Sequence, residues 1–192
     1  MLLAATYWLD IVWPVLVLAG IEHVRIDPGN TAFTPLDFFD YPWSHSLVAA
    51  LGWSVAFALA CLRAGKRVAL LAGLLVFSHW VLDFVTHRPD LPLWPGGPMF
   101  GLGLWNAVAA TIVIESAMFG TGVFIYALST KARNLKGALA FWGLVFFLGI
   151  IYVANVFGPP TPKVTAIGVT GIAGAALFTV WSWWADRNRS SE

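Results

Sequence analysis

The sequence predicts an all-α fold: a polytopic bundle of about six transmembrane helices forming one integral membrane domain over residues 1–192. Three observations carry this reading. Of 192 residues, 59% are hydrophobic and only 11% are charged, against about 25% charged in an ordinary soluble domain. Mean hydropathy is +0.76, and a water-soluble fold of this length cannot hide so much apolar surface, whereas a bilayer can. Apolar stretches also recur along the chain, each near the length that crosses about 30 Å of hydrocarbon at about 1.5 Å per residue. A net charge of +1 gives no basic surface for nucleic acid, and the single cysteine, Cys61, excludes an internal disulfide framework.

The first apolar stretch spans residues 2–21. Its opening, MLLAATYWLDIVWP, lacks a basic n-region and a small-residue cleavage site, so it reads as a retained helix rather than a signal peptide. The next stretches are residues 44–62, 68–85, 102–129, 138–157 and 164–184. Two of the connections, RAGKR at 63–67 and KARNLK at 131–136, are short and basic, as is the tail DRNR at 186–189. The others, at 22–43, 86–101 and 158–163, are acidic or rich in Pro and Gly. The basic segments hold eight of the eleven Lys and Arg; the opposite side holds only Arg25, Arg88 and Lys163. By the positive-inside rule both termini face the cytoplasm and the long loops face outward. Trp43, Trp94, Trp181, Trp183 and Trp184 fall near helix ends, where an indole keeps its N–H in the interface. The connection 22–43 is the longest, and loops of that length are uncommon without a role. PDLPLWPGGP, at 89–98, is stiffened by prolines and reads as a cap or lid.

Ionisable groups inside a membrane segment cost about 2.5–3.5 kcal/mol each and persist where they pair or work. Here they are Asp10, His45, His79, Asp83 and Glu115, with His23 and His87 at helix ends. All four histidines map to the outward half of the bundle. His79, Asp83 and His87 are spaced four and four, so they share one helix face with a drift of about 40° per step. Such a pair of His and Asp can hold a metal ion, and imidazole with carboxylate suits zinc, iron or manganese. Taken singly, each of these residues also fits a structural role: an i,i+4 hydrogen bond for His79 and Asp83, an interfacial position for His87, and a helix start for His45 with Ser44 as its cap. The convergence of several such groups from different helices favours a site. Asp10 and Glu115, counted along straight helices, lie about 18–20 Å deep, below the histidines. Each reads either as a buried structural hydrogen bond or as a partner behind the metal ligands or part of a proton route. The two readings are balanced for Glu115, and the structural one is favoured for Asp10, four residues before Pro14, where helix 1 is expected to kink.

PLDFFDYPWSHSL (35–47) followed by SHWVLDFVTHRPDLP (78–92) resembles the YdjM-type family of bacterial membrane proteins, described as membrane-bound metal-dependent hydrolases. The resemblance covers roughly residues 8–125, including DIVWP, IEHVRIDPGNTAFTPLDF and GLGLWN. The family's acidic, H-S and H-x-x-x-D motifs fall on Asp37, on His45 with Ser46, and on His79 with Asp83. Its longer members carry a Gly-His pair ahead of the matching region. Its grouping with zinc-dependent phospholipase C and P1-type nucleases implies a helical site holding a divalent metal, zinc first, and acting on phosphate esters or lipid-like substrates. The expected ligands are then His45, His79, Asp83, Asp37 and His87, with Glu115 or Asp40 as general base. Membrane lipids are the expected partners, and a protein partner or a second copy is compatible with the sequence. Two other functions stay open at this level. One is a non-catalytic protein binding a metal, haem or a partner subunit. The other is a small carrier using Asp10, Glu115 and Asp83, against which stands the lack of an inverted repeat.

Overall fold

The computed structural model describes residues 2–191 and is mostly helical. Among the described residues, four helices are long and apolar enough to cross a membrane: α5 (Lys66–Thr86), α6 (Val108–Ser129), α7 (Leu135–Phe157) and α8 (Val164–Arg187). Each was anticipated within a few residues, except that α6 begins at Val108 rather than 102. There the chain first makes a short 3-10 turn, Leu104–Asn106, entered through Gly103 at φ +74°.

Two predicted helices differ from the sequence reading. The stretch 2–21 is divided into α1 (Leu2–Thr6) and α2 (Leu9–Leu18), broken at Tyr7–Trp8 rather than at Pro14, which sits inside α2. The stretch 44–62 is divided into a single turn α3 (Pro42–His45) and α4 (Leu47–Ala60). Pro42 starts α3 because its missing N–H is not needed there. Ser46 then restarts the helix, its hydroxyl accepting from the Ala49 amide at 3.1 Å. α2 and α4 are both shorter than the four long helices.

The long acidic connection is an ordered hairpin. β1 (His23–Ile26) pairs antiparallel with β2 (Leu36–Asp40), in the register His23 with Asp40 and Arg25 with Asp37. Its tip is closed by the Asp27 amide on the Pro35 carbonyl at 2.7 Å and by Asn30 on the Leu36 carbonyl at 2.6 Å. The proline-rich segment makes a second, smaller hairpin, β3 (Leu91–Pro92) with β4 (Met99–Phe100). A third joins β5 (Thr130–Ala132), in the predicted basic loop, to β6 (Arg189–Ser191).

The chain forms two compact units. The first comprises Met1–Ala107 with Pro160–Ala175. Its core gathers Leu9, Trp13, Val24, Tyr41, Val76, Trp80 and Leu91. Helices α4 and α5 pack closely at Gly73, where an added Cβ would lie 3.1 Å from the Ser54 carbonyl and from Ala58. Gly168 and Gly171 on α8 likewise leave room for Leu18 and Pro14 of α2. The second unit comprises Val108–Pro159 with Ala176–Glu192, around Ala140, Phe141 and Ala185. There Arg189 donates to the hydroxyl and carbonyl of Thr130, both at 2.7 Å, and its guanidinium lies 4.6 Å over Phe141. Within α6, Val113, Ile114, Met118, Phe124 and Leu128 are exposed, which suits a hydrocarbon solvent and not water.

Candidate metal centre

The site lies in the first unit and draws on α1, α2, α3 and α5. On α5, His79 and Asp83 stand one helical turn apart, with His79 Nε2 3.4 Å from Asp83 Oδ2. α3 ends at His45, whose Nε2 is 3.7 Å from Asp83 Oδ2 and 3.7 Å from Asp10 Oδ1. Asp10, in the first turn of α2, completes the group with its Oδ2 3.6 Å from His79 Nε2. One ligand atom from each of Asp10, His45 and His79 lies within 4.8 Å of the others. His45 is buried, and Asp10 is open on one side, with 56% of its side chain exposed.

Asp10 is the residue that the sequence reading placed apart, deeper than the histidines. Its contacts with His45 and His79 correct that reading and put its carboxylate beside the histidines. The break at Tyr7–Trp8 leaves the Thr6 carbonyl outside regular helix pairing, and His79 Nδ1 bonds it at 2.9 Å. A carbonyl only accepts, so Nδ1 carries a proton and Nε2 is the ring nitrogen turned toward the two carboxylates. Asp83 Oδ2 is buried and, among the described residues, has no hydrogen-bond partner. A buried oxygen in that state costs about 1–3 kcal/mol or more unless something cationic meets it.

Other expected site residues are placed differently. The Asp37 carboxylate is buried between Arg25 and Arg88, the latter at 2.5 Å. Arg88 also reaches Asp90 Oδ2 at 3.1 Å, which ties the first hairpin to the end of α5. His87 bonds Asp90 Oδ1 through Nδ1 at 3.0 Å. The Tyr41 hydroxyl stands over this pair, 3.3 Å from His87 Nδ1 and 3.4 Å from Asp90 Oδ1. Burial, reinforced by the Asp90 carboxylate, pushes the Tyr41 phenol well above its usual pKa of 10, so it remains a donor at neutral pH. Asp40 accepts from His23 at 2.8 Å on the exposed hairpin. Glu115 belongs to the second unit, where it faces Tyr152.

Glu22 is a participant that sequence reading passed over. Its side chain, 1% exposed, accepts the amides of Trp43 and Ser44 at 2.7 and 2.8 Å and the Ser44 hydroxyl at 2.6 Å. Ser44 Oγ in turn lies 2.7 Å from His45 Nδ1. The only hint in sequence was an acidic residue next to His23, twenty-odd positions from its partners.

A cavity of about 150 Å³ opens beside the cluster, with Asp10, His45 and Asp83 on one side and Trp13, Phe38, Tyr41, His87 and Trp105 on the other. The His87 ring is covered by Trp105, at 4.4 Å between ring centroids, and by Phe38, at 5.0 Å. No lysine or arginine lines it.

No curated protein and no solved structure matches the chain. A family model described as YdjM inner membrane protein matches residues 42–158. That span contains His45, His79, Asp83, His87 and Glu115, and lies beyond Asp10 and Glu22. It covers more than half of the sequence and joins the apolar helices in supporting a multi-pass location in an inner membrane. The chain belongs to the YdjM inner membrane protein family.

Proposed function

We propose that this protein is a membrane-embedded, metal-dependent hydrolase whose ion is held by Asp10, His45, His79 and Asp83. The observation that carries the reading is the convergence of two imidazole nitrogens on two carboxylates around Asp83 Oδ2, which has no hydrogen-bond partner among the described residues. Separations of 3.4–3.7 Å exceed the range of about 2.7–3.2 Å usual for N–H···O hydrogen bonds. They are close to the spacing of about 3.3–3.5 Å between neighbouring ligand atoms that tetrahedral zinc imposes with bonds of about 2.0–2.2 Å. Two imidazoles and two carboxylates suit zinc, with manganese and iron as the other metals of this donor class. Haem asks for a flat apolar slot with axial histidines and gains nothing from the paired carboxylates.

A zinc ion held there would supply Lewis acidity toward an ester and acidify water to near neutrality. The remaining work falls to this chain's own side chains. Asp90 accepts the Nδ1 proton of His87, which leaves His87 Nε2 to take a proton from water in the cavity and to return one to the leaving group. His87 therefore serves the site as a base rather than as a metal ligand. Asp40 is less suited to that task because it already accepts from His23. Trp13, Phe38 and Trp105 exclude bulk water and offer an apolar wall to the substrate. Without a free cation in the lining, the cavity favours a neutral carboxylic ester or a singly charged phosphodiester over a dianionic phosphomonoester. A lipid-like substrate fits a site reached from the bilayer.

The site belongs, on this reading, to a single membrane domain of six crossings. The divided α1–α2 and the short α4 supply two crossings beside the four long helices, and both termini lie in the cytoplasm.

The test is hydrolysis by the detergent-purified protein of chromogenic phosphodiester and carboxylic ester substrates. Activity abolished by a chelator, restored by zinc and lost in His79→Ala is expected. Activity indifferent to chelation, or retained in His79→Ala, would overturn the reading.

A further inference from the structure

We infer that Glu22 acts through Ser44 as a positioning residue: together they fix the tautomer of His45 so that its Nε2 lone pair faces Asp10, His79 and Asp83. Four contacts set the direction of each proton in this relay, with Glu22 as a carboxylate. Glu22 Oε1 meets two backbone amides, which can only donate, so it accepts from both. An ionised carboxylate has no proton to give, so the Ser44 hydroxyl at 2.6 Å must donate to Oε2. With its proton committed there, Ser44 Oγ can only accept from His45, and Nδ1 at 2.7 Å must be the protonated ring nitrogen. The competing arrangement puts the proton on Nε2, toward Asp10 and Asp83. It would gain contacts of only 3.7 Å and would force two acceptors together across 2.6 Å. Ser44 has one other acceptor in reach, the Tyr41 carbonyl at 3.5 Å, too long to compete. Ser44 and Glu22 are 0% and 1% exposed, so water cannot substitute for either. His79 is set the same way by the Thr6 carbonyl, so both histidines present Nε2 to one point.

The consequence for metal affinity rests on the proposed metal site, whereas the tautomer itself does not. Glu22→Gln separates the two. The amide oxygen must still meet the two backbone donors, so the amide NH2 faces Ser44. Ser44 then accepts from Gln and turns its proton toward His45 Nδ1, and the ring proton moves to Nε2.

The experiment is two-bond 1H–15N correlation of 15N-histidine-labelled, metal-free protein in detergent, at a pH where the imidazoles are neutral. His45 is assigned by its loss in His45→Gln. Wild type and Ser44→Thr, which keeps the hydroxyl, are expected to show His45 protonated on Nδ1, and Glu22→Gln on Nε2. Zinc titration of the same samples should show affinity reduced about 10- to 100-fold in Glu22→Gln and near wild type in Ser44→Thr. Protonation of His45 on Nε2 in wild type would overturn the proposal, and so would an unchanged tautomer in a folded Glu22→Gln. A wild-type tautomer on Nδ1 that switches in Glu22→Gln, in a protein that takes up no zinc, upholds the positioning chain and overturns the metal reading alone.

Discussion

Asp83 shows how much one side chain can reveal about a site. Its Oδ2 is buried, faces two imidazoles and, among the described residues, has no hydrogen-bond partner, a state that an otherwise apolar chain tolerates only when a cation offsets it. Asp83→Asn keeps the shape and removes the charge. It should weaken zinc binding by about 100-fold, read by competition with a chromophoric chelator. Asp37 gives the contrast. Its buried carboxylate serves two arginines, so Asp37→Asn should leave zinc affinity unchanged while lowering stability by about 1–3 kcal/mol in thermal unfolding. Zinc binding lost with Asp37 at unchanged stability would contradict this division. Tyr41 adds a pH dependence. Its folded pKa is raised above 10, so the folded state holds the phenolic proton more tightly and stability is lost as pH rises beyond 10. Tyr41→Phe should flatten that fall relative to wild type. At this scale the sequence made His45, His79 and Asp83 legible through spacing and motif resemblance. It did not make Asp10 or Glu22 legible, because their partners lie far along the chain: His45 and His79 on other helices for Asp10, and Trp43 and Ser44 beyond the hairpin for Glu22.

Helices were legible as elements because a long apolar run has only one way to satisfy its backbone in lipid. α5, α7 and α8 accordingly begin and end close to where hydropathy put them. Interruptions were not legible. The break at Tyr7–Trp8 has no proline or glycine to announce it, whereas Pro14, which does announce one, sits within α2. Strands of four and five residues, such as His23–Ile26 and Leu36–Asp40, carry too little alternation to stand out from a polar loop. Packing between α4 and α5 is a further property of elements rather than residues. Gly73→Val would drive side-chain atoms into the Ser54 carbonyl. It should cost about 1–3 kcal/mol in detergent unfolding and reduce zinc uptake indirectly. Unchanged stability would mean that α4 and α5 are not held at that distance.

For the molecule as a whole, the apolar composition and the family assignment agree on a multi-pass inner-membrane protein. The proposed count of six crossings rests on hydropathy and the proposed direction on charge: eight of eleven Lys and Arg lie in two connections and the tail. Topology reporters fused at Gly65 and Arg133 should report the cytoplasm, and those at Gly29 and Gly96 the opposite side. A cytoplasmic signal from Gly29 would reverse the orientation and put the cavity on the other face.

Whether Asp10, His45, His79 and Asp83 hold a metal ion is tested most directly by elemental mass spectrometry of the detergent-purified protein. About one equivalent of zinc, manganese or iron in wild type, absent from a folded His79→Ala/Asp83→Ala variant, is the predicted result. No metal in wild type even after addition of zinc, or equal metal in both proteins, would contradict the claim.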